Sequence, residues 1–179
     1  MSSVQLRRCR PEDIEAVRGG NVNEAIEGRV RGILAEIARE RESALRRWAQ
    51  QLGDLQPEDP LILPSAALCE ARDRLPGAKR ATLERVAARI GRFANLQRAA
   101  LDEAEMEFPG GRAGHRLTPV EVAGCYAPGG RYPLPSSVLM TAVTARAAGV
   151  DQVWLASPRP TVETLAAAAI AGVDGMLAV

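Results

Sequence analysis

Apolar residues before about residue 118 recur at steps of three and four positions, which is the spacing of one face of an α-helix. This pattern predicts one long helix over residues 22–52 and another over residues 83–101. Gly28 and Gly32 lower the helix propensity of the first. Because both apolar stripes are long, we expect these helices to pack on each other or on a second chain. The stripe residues are Val22, Ile26, Val30, Ile33, Leu34, Ile37, Ala44, Leu45, Trp48 and Leu52, followed in the second helix by Leu83, Val86, Ala87, Ile90, Ala94 and Leu101.

Proline and glycine punctuate this helical region. A connector with three prolines between positions 57 and 64 separates the two long helices. Ser65 is predicted to cap a short helix that ends near Pro76. The sequence Pro109-Gly110-Gly111 is predicted to end the second long helix.

From about residue 118 onward the pattern is strand, loop and helix. Strands are predicted over residues 120–126, 150–156 and 173–179. After the first strand, Ser136 or Ser137 is predicted to cap a helix that ends at Gly149. Thr161 is predicted to cap a second helix, which ends at Gly172.

A short internal repeat supports this alternation. Ala148-Gly149-Val150-Asp151 returns as Ala171-Gly172-Val173-Asp174, each time between a helix and a strand. That rhythm is typical of consecutive βα units in a parallel sheet. The predicted fold class is therefore α/β, with N-terminal long helices (domain 1–117) followed by a partial parallel βαβαβ, incomplete Rossmann-like unit (domain 118–179). A parallel sheet is normally covered on both faces, so we expect this unit to be unfinished as a doubly wound domain.

Composition and charge exclude several classes of partner. Apolar residues make up 46% of the 179 positions, and 23 basic residues nearly balance 22 acidic ones. This balance favours neither a nucleic acid nor an anionic membrane as partner. The most apolar segment, 165–172, is too short to span a bilayer. Three widely spaced cysteines, Cys9, Cys69 and Cys125, predict reduced thiols in a cytoplasmic protein.

The loop between the first strand and its helix, residues 124–137, is the segment best suited to carry chemistry. In open α/β sheets, ligands bind beyond the carboxyl ends of the strands. Glycine lets the backbone approach a ligand, and free N–H groups at a helix start attract anions. The loop lacks the G-x-G-x-x-G fingerprint, and Ser157-Pro158 stands where an acidic ribose partner would follow the second strand. From the residues alone, a rigid connection without a ligand and a nucleotide site both remain open.

Metal and nucleophile signals are weak. His115 is the single histidine, and no cysteine lies near it in sequence. Zinc requires three or four protein ligands, so no catalytic zinc site is predicted. No nucleophile-elbow motif occurs either.

Residues 119–130, Pro-Val-Glu-Val-Ala-Gly-Cys-Tyr-Ala-Pro-Gly-Gly, and residues 132–142, Tyr-Pro-Leu-Pro-Ser-Ser-Val-Leu-Met-Thr-Ala, resemble histidinol dehydrogenases. The motif of that family is approximately V-G-x-Y-x-P-G-G-x-A-P-L-x-S-[ST]-V-L-M. The likeness continues through residues 145–156 and 170–173. It extends more loosely to the N-terminal helices, so nearly the whole chain aligns.

The resemblance implies a function and a set of site residues. Histidinol dehydrogenases oxidise L-histidinol to L-histidine in histidine biosynthesis, using two NAD and a zinc ion, as homodimers. The resemblance places Tyr126 at the family's NAD-contacting tyrosine, with Pro128, Gly129 and Gly130 in the same pocket. Ser136 and Ser137 match the family motif as well; their ligand role is an inference from their position at a helix start.

Departures from the family pattern limit that expectation. The family usually has Arg-Phe-His where this chain has Arg92-Phe93-Ala94, and Gly-Asp where it has Arg41-Glu42. The family's Gly-Gly-Ala-Gln segment, zinc ligands and Glu-His acid–base pair would follow residue 179. No catalytic residue is therefore predicted here, and whether the chain alone is an enzyme stays open.

We accordingly interpret the chain as the N-terminal portion of a histidinol dehydrogenase-like protein that is inactive alone. Its expected partner is a second copy or a complementary C-terminal half. Two alternatives are a stand-alone, non-catalytic module that binds a nucleotide or a protein partner, and part of a related dehydrogenase for another polar alcohol.

Overall fold

The computed structural model describes residues 24–129 and 132–179. The chain divides into two compact units, of which the first ends at Trp48 and the second runs from Ala49 to Val179. The helices are α1 (Glu24–Glu40), α2 (Glu42–Gln51), α3 (Ser65–Arg74), α4 (Gly77–Ala99), α5 (Pro135–Ala147) and α6 (Val162–Ile170). The strands are β1 (Ile62–Pro64), β2 (Ala104–Phe108), β3 (Gly111–His115), β4 (Val122–Tyr126), β5 (Gln152–Ala156) and β6 (Gly175–Leu177).

In the first unit, the helix predicted over residues 22–52 is two helices; its beginning lies outside the described residues. The break is at Arg41, whose φ of 57° is left-handed and cannot continue a right-handed helix. Gly28 and Gly32, which were expected to weaken the helix, lie within α1. Across the break, Arg47 pairs with Glu36 and Glu40, each at 2.9 Å. The prediction of one long helix was wrong because local propensity does not reveal a single left-handed residue.

In the second unit, four strands form a sheet in the order β1-β6-β5-β4. Strands β4, β5 and β6 are mutually parallel, as predicted, with Gly124 opposite Trp154 and Trp154 opposite Gly175. Strand β1 pairs antiparallel with β6 and was not predicted, because its three residues end in a proline within a proline-rich connector. Residues on both sides of position 118 thus build one sheet.

Helices cover one face of this sheet. Helix α5 packs on β4 and β5 and against α6, while α4 packs on α5 and α3 on α6. Val153, Leu155 and Met176 are fully buried beneath them. The alternate residues point to the other face, where Ile62, Val122 and Tyr126 are exposed. We call that second surface, formed by Ile62, Val122, Tyr126, Trp154 and Leu177, the open face.

Three predictions about helix ends were confirmed, and the predicted serine caps were wrong. Gly149 and Gly172 end α5 and α6 with φ of 92° and 74°, and the Thr161 side chain accepts a hydrogen bond from the Thr164 N–H. In contrast, Leu134 and Pro64 occupy the N-cap positions of α5 and α3 without any side-chain cap, so Ser65, Ser136 and Ser137 do not cap.

A β-hairpin replaces the predicted end of the second long helix. Helix α4 ends at Ala99, and β2 and β3 then pair antiparallel, with Phe108 opposite Gly111. Pro109-Gly110 is the turn of this hairpin, where Gly110 has a φ of 98°. The Pro-Gly-Gly signal therefore marked a strand reversal and not the end of a helix.

Candidate functional site

The carboxyl ends of β4 and β5 are held together by the loops that follow them. The Ala127 N–H donates to the Ala156 carbonyl at 3.0 Å, and the Ser157 N–H donates to the Leu177 carbonyl at 3.0 Å. Ala127 and Ser157 are nearly inaccessible, at 1% and 2% exposure. These bonds extend the sheet by one residue past each strand, so the loop conformations beyond them are anchored.

Gly129 is the residue at which these two loops meet. A Cβ atom at this position would lie 2.4 Å from the Pro158 carbonyl oxygen and 2.7 Å from the Pro158 ring. Real Cβ atoms do not approach backbone oxygen so closely, so only glycine fits here. The predicted role of Gly129 was backbone approach to a ligand; its observed contact is with the neighbouring loop.

Tyr126, the last residue of β4, lies beside this junction. Its side chain points to the open face and is 59% exposed. Its register partner Ala156 is small, which leaves room beside the ring. Tyr132 is also exposed, at 72%. An accessible aromatic ring at the carboxyl edge of a parallel sheet is suited to contact a flat ligand group.

The start of α5 offers fewer anion-binding donors than the sequence indicated. Pro135 has no N–H, and the Ser137 N–H donates to the Leu134 carbonyl at 3.0 Å. The Ser137 carbonyl in turn accepts from the Thr141 hydroxyl at 2.8 Å. Ser136 is exposed at the first turn.

The structure therefore brings Tyr126, Pro128 and Gly129 to one edge of the sheet. Ser136 and Ser137 lie at the start of the helix that this loop enters. Gly130 lies outside the described residues.

An ion pair between Lys79 and Glu163 links the first turns of α4 and α6. The Lys79 Nζ atom lies 2.8 Å from Glu163 Oε1. The hydrogen bond from Lys79, followed by the backbone N–H of Glu163 itself, holds the pKa of this carboxyl below its usual value. Sequence reasoning missed this pair because the two residues are 84 positions apart.

The described residues do not fit a zinc ion. Among residues 24–129 and 132–179, no three His, Cys, Asp or Glu side chains are grouped as metal ligands. The His115 ring Nε2 lies 2.8 Å from the Asp102 carbonyl oxygen, at the base of the hairpin. Cys69 and Cys125 are free thiols.

None of the described helices is long and apolar enough to cross a membrane.

Comparison with known proteins decides the family. The family model described as "Histidinol dehydrogenase" matches residues 17–179. The chain belongs to the histidinol dehydrogenase family. The family identified from residues 119–142 is thus confirmed.

Individual histidinol dehydrogenases agree with this assignment. The enzyme of Bordetella parapertussis is 37% identical over 163 residues, which cover 88% of this chain and 37% of that protein. The one from Mycolicibacterium smegmatis is 34% identical over 186 residues, covering 100% of this chain and 40% of its own length. "Histidinol dehydrogenase homolog 1" of Mesorhizobium japonicum is 34% identical and is covered over 35% of its length.

A solved structure shows the same fold. The crystal structure of histidinol dehydrogenase from Elizabethkingia anophelis superposes with a TM-score of 0.72 at 22% identity, covering 85% of this chain and 36% of that one. This confirms the predicted α/β fold class. The chain thus spans between 35% and 40% of the length of these relatives.

Proposed function

We propose that this chain provides one wall of the NAD site of a histidinol dehydrogenase-type enzyme and needs further polypeptide for catalysis. The observation that carries the proposal is the placement of Tyr126 beside the Gly129–Pro158 junction, at the carboxyl edge of the parallel sheet. Tyr126 and Gly129 also lie in the segment, residues 119–142, that carries the motif resemblance to histidinol dehydrogenases. The cell compartment we propose is the cytoplasm, in keeping with the free Cys69 and Cys125 thiols.

NAD fits these residues in part. Tyr126 offers an exposed ring, Pro128 an exposed loop and Ser136 an exposed helix start. NAD, when bound, supplies the acceptor for the hydride that leaves an alcohol carbon. The contribution of this chain is to bind and orient the cofactor. Zinc does not fit the described residues, so no step is assigned to it.

The open face supports a need for further polypeptide. Ile62, Val122 and Tyr126 expose apolar side chains on one side of a sheet whose other side is covered by helices. Parallel sheets are normally buried on both faces. We propose that a segment corresponding to the remaining part of the longer relatives covers this surface, either in the same protein or as a separate chain.

Catalysis by this chain alone is not expected. Removal of a hydride from an alcohol requires a base within hydrogen-bond reach of the hydroxyl proton. The residues described after β4, 127–129 and 132–137, contain no histidine, aspartate or glutamate, and His115 lies in the hairpin. The proposed substrate, L-histidinol, follows from family membership alone.

Two measurements test the proposal. Purified chain is titrated with NAD by calorimetry. A Tyr126→Ala variant is expected to bind about fivefold more weakly or worse, because the stacking of a base on an aromatic side chain contributes about 1–3 kcal/mol. Val122→Ala, on the same open face but at the amino end of β4, is the matched control and is expected to bind as the wild type does. Equal binding by Tyr126→Ala would overturn the cofactor role.

The second measurement is NADH production from L-histidinol. We expect none from the chain alone with zinc supplied. Activity is expected when a separately expressed C-terminal part of a relative is added. If the isolated chain produces NADH and the Tyr126→Ala variant does not, the chain needs no further polypeptide for catalysis, and this part of the proposal is wrong.

One outcome would favour the alternative, a stand-alone nucleotide-binding module. If the affinity for NAD is the same with and without the C-terminal part of a relative, the NAD site is complete in this chain.

A further inference from the structure

Arg159 adopts a backbone conformation that arginine rarely takes. It stands between Pro158 and Pro160 in the loop after β5, and its φ of 46° is left-handed. Residues with a Cβ atom avoid this region because the Cβ crowds the following carbonyl oxygen. Strained residues of this kind concentrate at ligand contacts and active sites. The side chain of Arg159 is therefore a candidate for binding.

Arg159 and Asp54 line one cavity, of about 400 Å³, which we call the Asp54–Arg159 cavity. The Arg159 Nε atom lies 3.4 Å from Asp54 Oδ1, farther than the roughly 2.7–3.2 Å of an N–H···O hydrogen bond. Across residues 24–129 and 132–179, neither side chain makes a hydrogen bond to another residue. The two side chains are 64% and 21% accessible. Both charged groups can therefore still bind a third partner.

Most of the remaining lining of this cavity is apolar. Its volume falls within the range of about 300–1,000 Å³ that is usual for small-molecule sites. Such sites combine apolar walls with a few polar groups that fix the orientation of the ligand. The apolar lining residues are Leu55, Pro60, Leu63, Pro160, Leu165 and Ala178.

Backbone hydrogen bonds hold the walls of the cavity in place. The Asp54 N–H donates to the Ala49 carbonyl at 2.9 Å, and the Ala178 N–H donates to the Leu61 carbonyl at 3.0 Å. All the lining residues belong to the second compact unit. Arg159 follows β5 and Ala178 follows β6, so the cavity lies at the carboxyl edge of the parallel strands. Open α/β sheets bind their ligands at this edge.

The charges of the cavity select one class of small molecule. A cation and an anion lie side by side here, next to an apolar wall. An anion alone would be repelled by Asp54, and a cation alone by Arg159. An α-amino acid carries its ammonium and its carboxylate on one carbon atom, so it can satisfy both groups together. Arginine binds carboxylates through a planar fork of donors.

We propose that the Asp54–Arg159 cavity binds an α-amino acid with an apolar side chain. The carboxylate of the ligand lies on the Arg159 guanidinium, its ammonium on the Asp54 carboxylate, and its side chain against the leucines of the wall. The site is separate from the proposed NAD site, because neither Tyr126 nor Gly129 lines the cavity.

L-Leucine is the probe for this site. In NMR titration of the isotope-labelled chain, we expect saturable binding with a Kd of about 1 mM or lower, and shifts concentrated in residues 53–63 and 157–165. Isoamylamine lacks the carboxylate and isocaproate lacks the ammonium, so each is expected to bind at least about tenfold more weakly than L-leucine. No saturable binding of L-leucine, or equal binding of the three probes, would overturn the proposal.

Two variants assign the charged groups of the ligand to their partners. Arg159→Gln is expected to bind L-leucine about tenfold more weakly or worse, and isoamylamine at least as well as wild type does. Asp54→Asn is expected to weaken L-leucine binding similarly and to bind isocaproate at least as well as wild type does. Arg92→Gln, at an exposed arginine of α4, is the matched control and should bind all three probes like wild type.

This reciprocal pattern separates ligand contact from a merely structural role. Circular dichroism verifies that both variants fold, and the selectivity of the wild type for L-leucine tests the proposal without any variant. Damage to the fold would weaken the binding of all three probes alike. An equal loss for the three probes in both folded variants would therefore contradict the proposal.

Competition with NAD tests whether the cavity is separate from the candidate cofactor site. We expect the same affinity for L-leucine with and without saturating NAD. Competition between them would assign Arg159 to cofactor binding and overturn the amino-acid site. The titrations with NAD alone and with L-leucine alone are read separately, so the failure of one proposal is distinguishable from the failure of the other.

Discussion

Arg146, in the last turn of α5, donates a hydrogen bond to the carboxylate of Asp174, which immediately precedes β6. The same guanidinium donates from Nε to the Gly172 carbonyl at 3.0 Å and from Nη1 to the Val150 carbonyl at 3.1 Å. The Asp174 carboxylate also accepts from the Val153 N–H at 2.7 Å. Arg146 thus links the carboxyl end of α5 to the segments that lead into the parallel strands β5 and β6.

Arg146→Lys is therefore expected to destabilise the fold. An ammonium group cannot reproduce the planar set of donors that reaches carbonyls and carboxylate together. We expect a loss of about 1–2 kcal/mol in the free energy of unfolding, measured by urea denaturation. Arg85→Lys, on an exposed part of α4 where the guanidinium reaches the Thr82 hydroxyl, is the matched control and should change little. If the midpoint of urea denaturation is unchanged in Arg146→Lys, hydrogen bonds to water replace those of the guanidinium without a loss of stability.

The repeat Ala-Gly-Val-Asp explains why this half of the fold was predictable. In each copy, glycine at a left-handed φ ends the helix, and the following valine, Val150 or Val173, is buried. Such signals are local, so they are visible in sequence. The two aspartates of the repeat, however, make different hydrogen bonds. The Asp174 carboxylate accepts hydrogen bonds from the Arg146 guanidinium and the Val153 N–H, whereas at Asp151 it is the backbone carbonyl that accepts a hydrogen bond from Arg146.

The parts that were not predictable depend on distant partners. Strand β1 is a strand only because β6 pairs with it more than 100 residues later in the chain. The hairpin is rich in Glu, Gly and Arg, so strand propensity is low and only Met106 and Phe108 alternate clearly. At the candidate site, Gly129 could be singled out from the Gly-Pro loop, but its contact with Pro158 could not, since the register of β4 and β5 creates it.

Gly129→Ala is expected to disturb the junction of the two loops. The added Cβ would lie 2.4 Å from the Pro158 carbonyl oxygen, so one loop must move. We expect a loss of about 1–3 kcal/mol in the free energy of unfolding, as for other overpacked sites. Weaker NAD binding is expected in the same variant, because Tyr126 lies beside the junction.

Gly124→Ala is the matched control for that change. Gly124 lies on β4, the strand that leads into the loop containing Gly129, and a Cβ at Gly124 meets no atom within 4 Å. Its φ is not in the left-handed region, so alanine should leave the free energy of unfolding within about 0.5 kcal/mol of wild type. Equal loss in the two variants would show that the Gly129–Pro158 approach is not the cause.

The Lys79–Glu163 pair predicts a small pH dependence. Because the folded-state pKa of Glu163 is lowered from 4.5, the folded state binds this proton less readily than the unfolded state does. The stabilisation is therefore fully present above the unfolded pKa and is lost as the pH falls through the folded one. Since both side chains are partly exposed, with 61% and 31% accessible, we expect less than about 1 kcal/mol at neutral pH.

Lys79→Met isolates this effect. Urea denaturation of variant and wild type should differ slightly at neutral pH and converge in acid, once Glu163 is protonated in both. An NMR titration should find the pKa of Glu163 higher in the variant than in wild type. A difference in stability that persists unchanged in acid would mean that Lys79 acts through packing and not through charge.

Arg41 gives a prediction in the opposite direction, a gain of stability. Its φ of 57° is left-handed, a conformation that costs a residue with a side chain about 1–2 kcal/mol and glycine almost nothing.

Arg41→Gly is accordingly expected to raise the free energy of unfolding by about 0.5–1 kcal/mol, after allowing for the greater freedom of glycine in the unfolded chain. The flanking bonds, from the Arg41 N–H to the Ile37 carbonyl and from the Leu45 N–H to the Arg41 carbonyl, involve only the backbone and are retained. Ala38→Gly, within α1, is the matched control and should lower stability by about 1 kcal/mol, because a right-handed helix gains nothing from glycine.

Hydrogen exchange of residues 24–51 reports on these helices directly. We expect slower exchange in Arg41→Gly and faster exchange in Ala38→Gly than in wild type. If both variants exchange faster, the left-handed turn at Arg41 is not a source of strain, and the break between α1 and α2 must depend on other contacts of the Arg41 side chain.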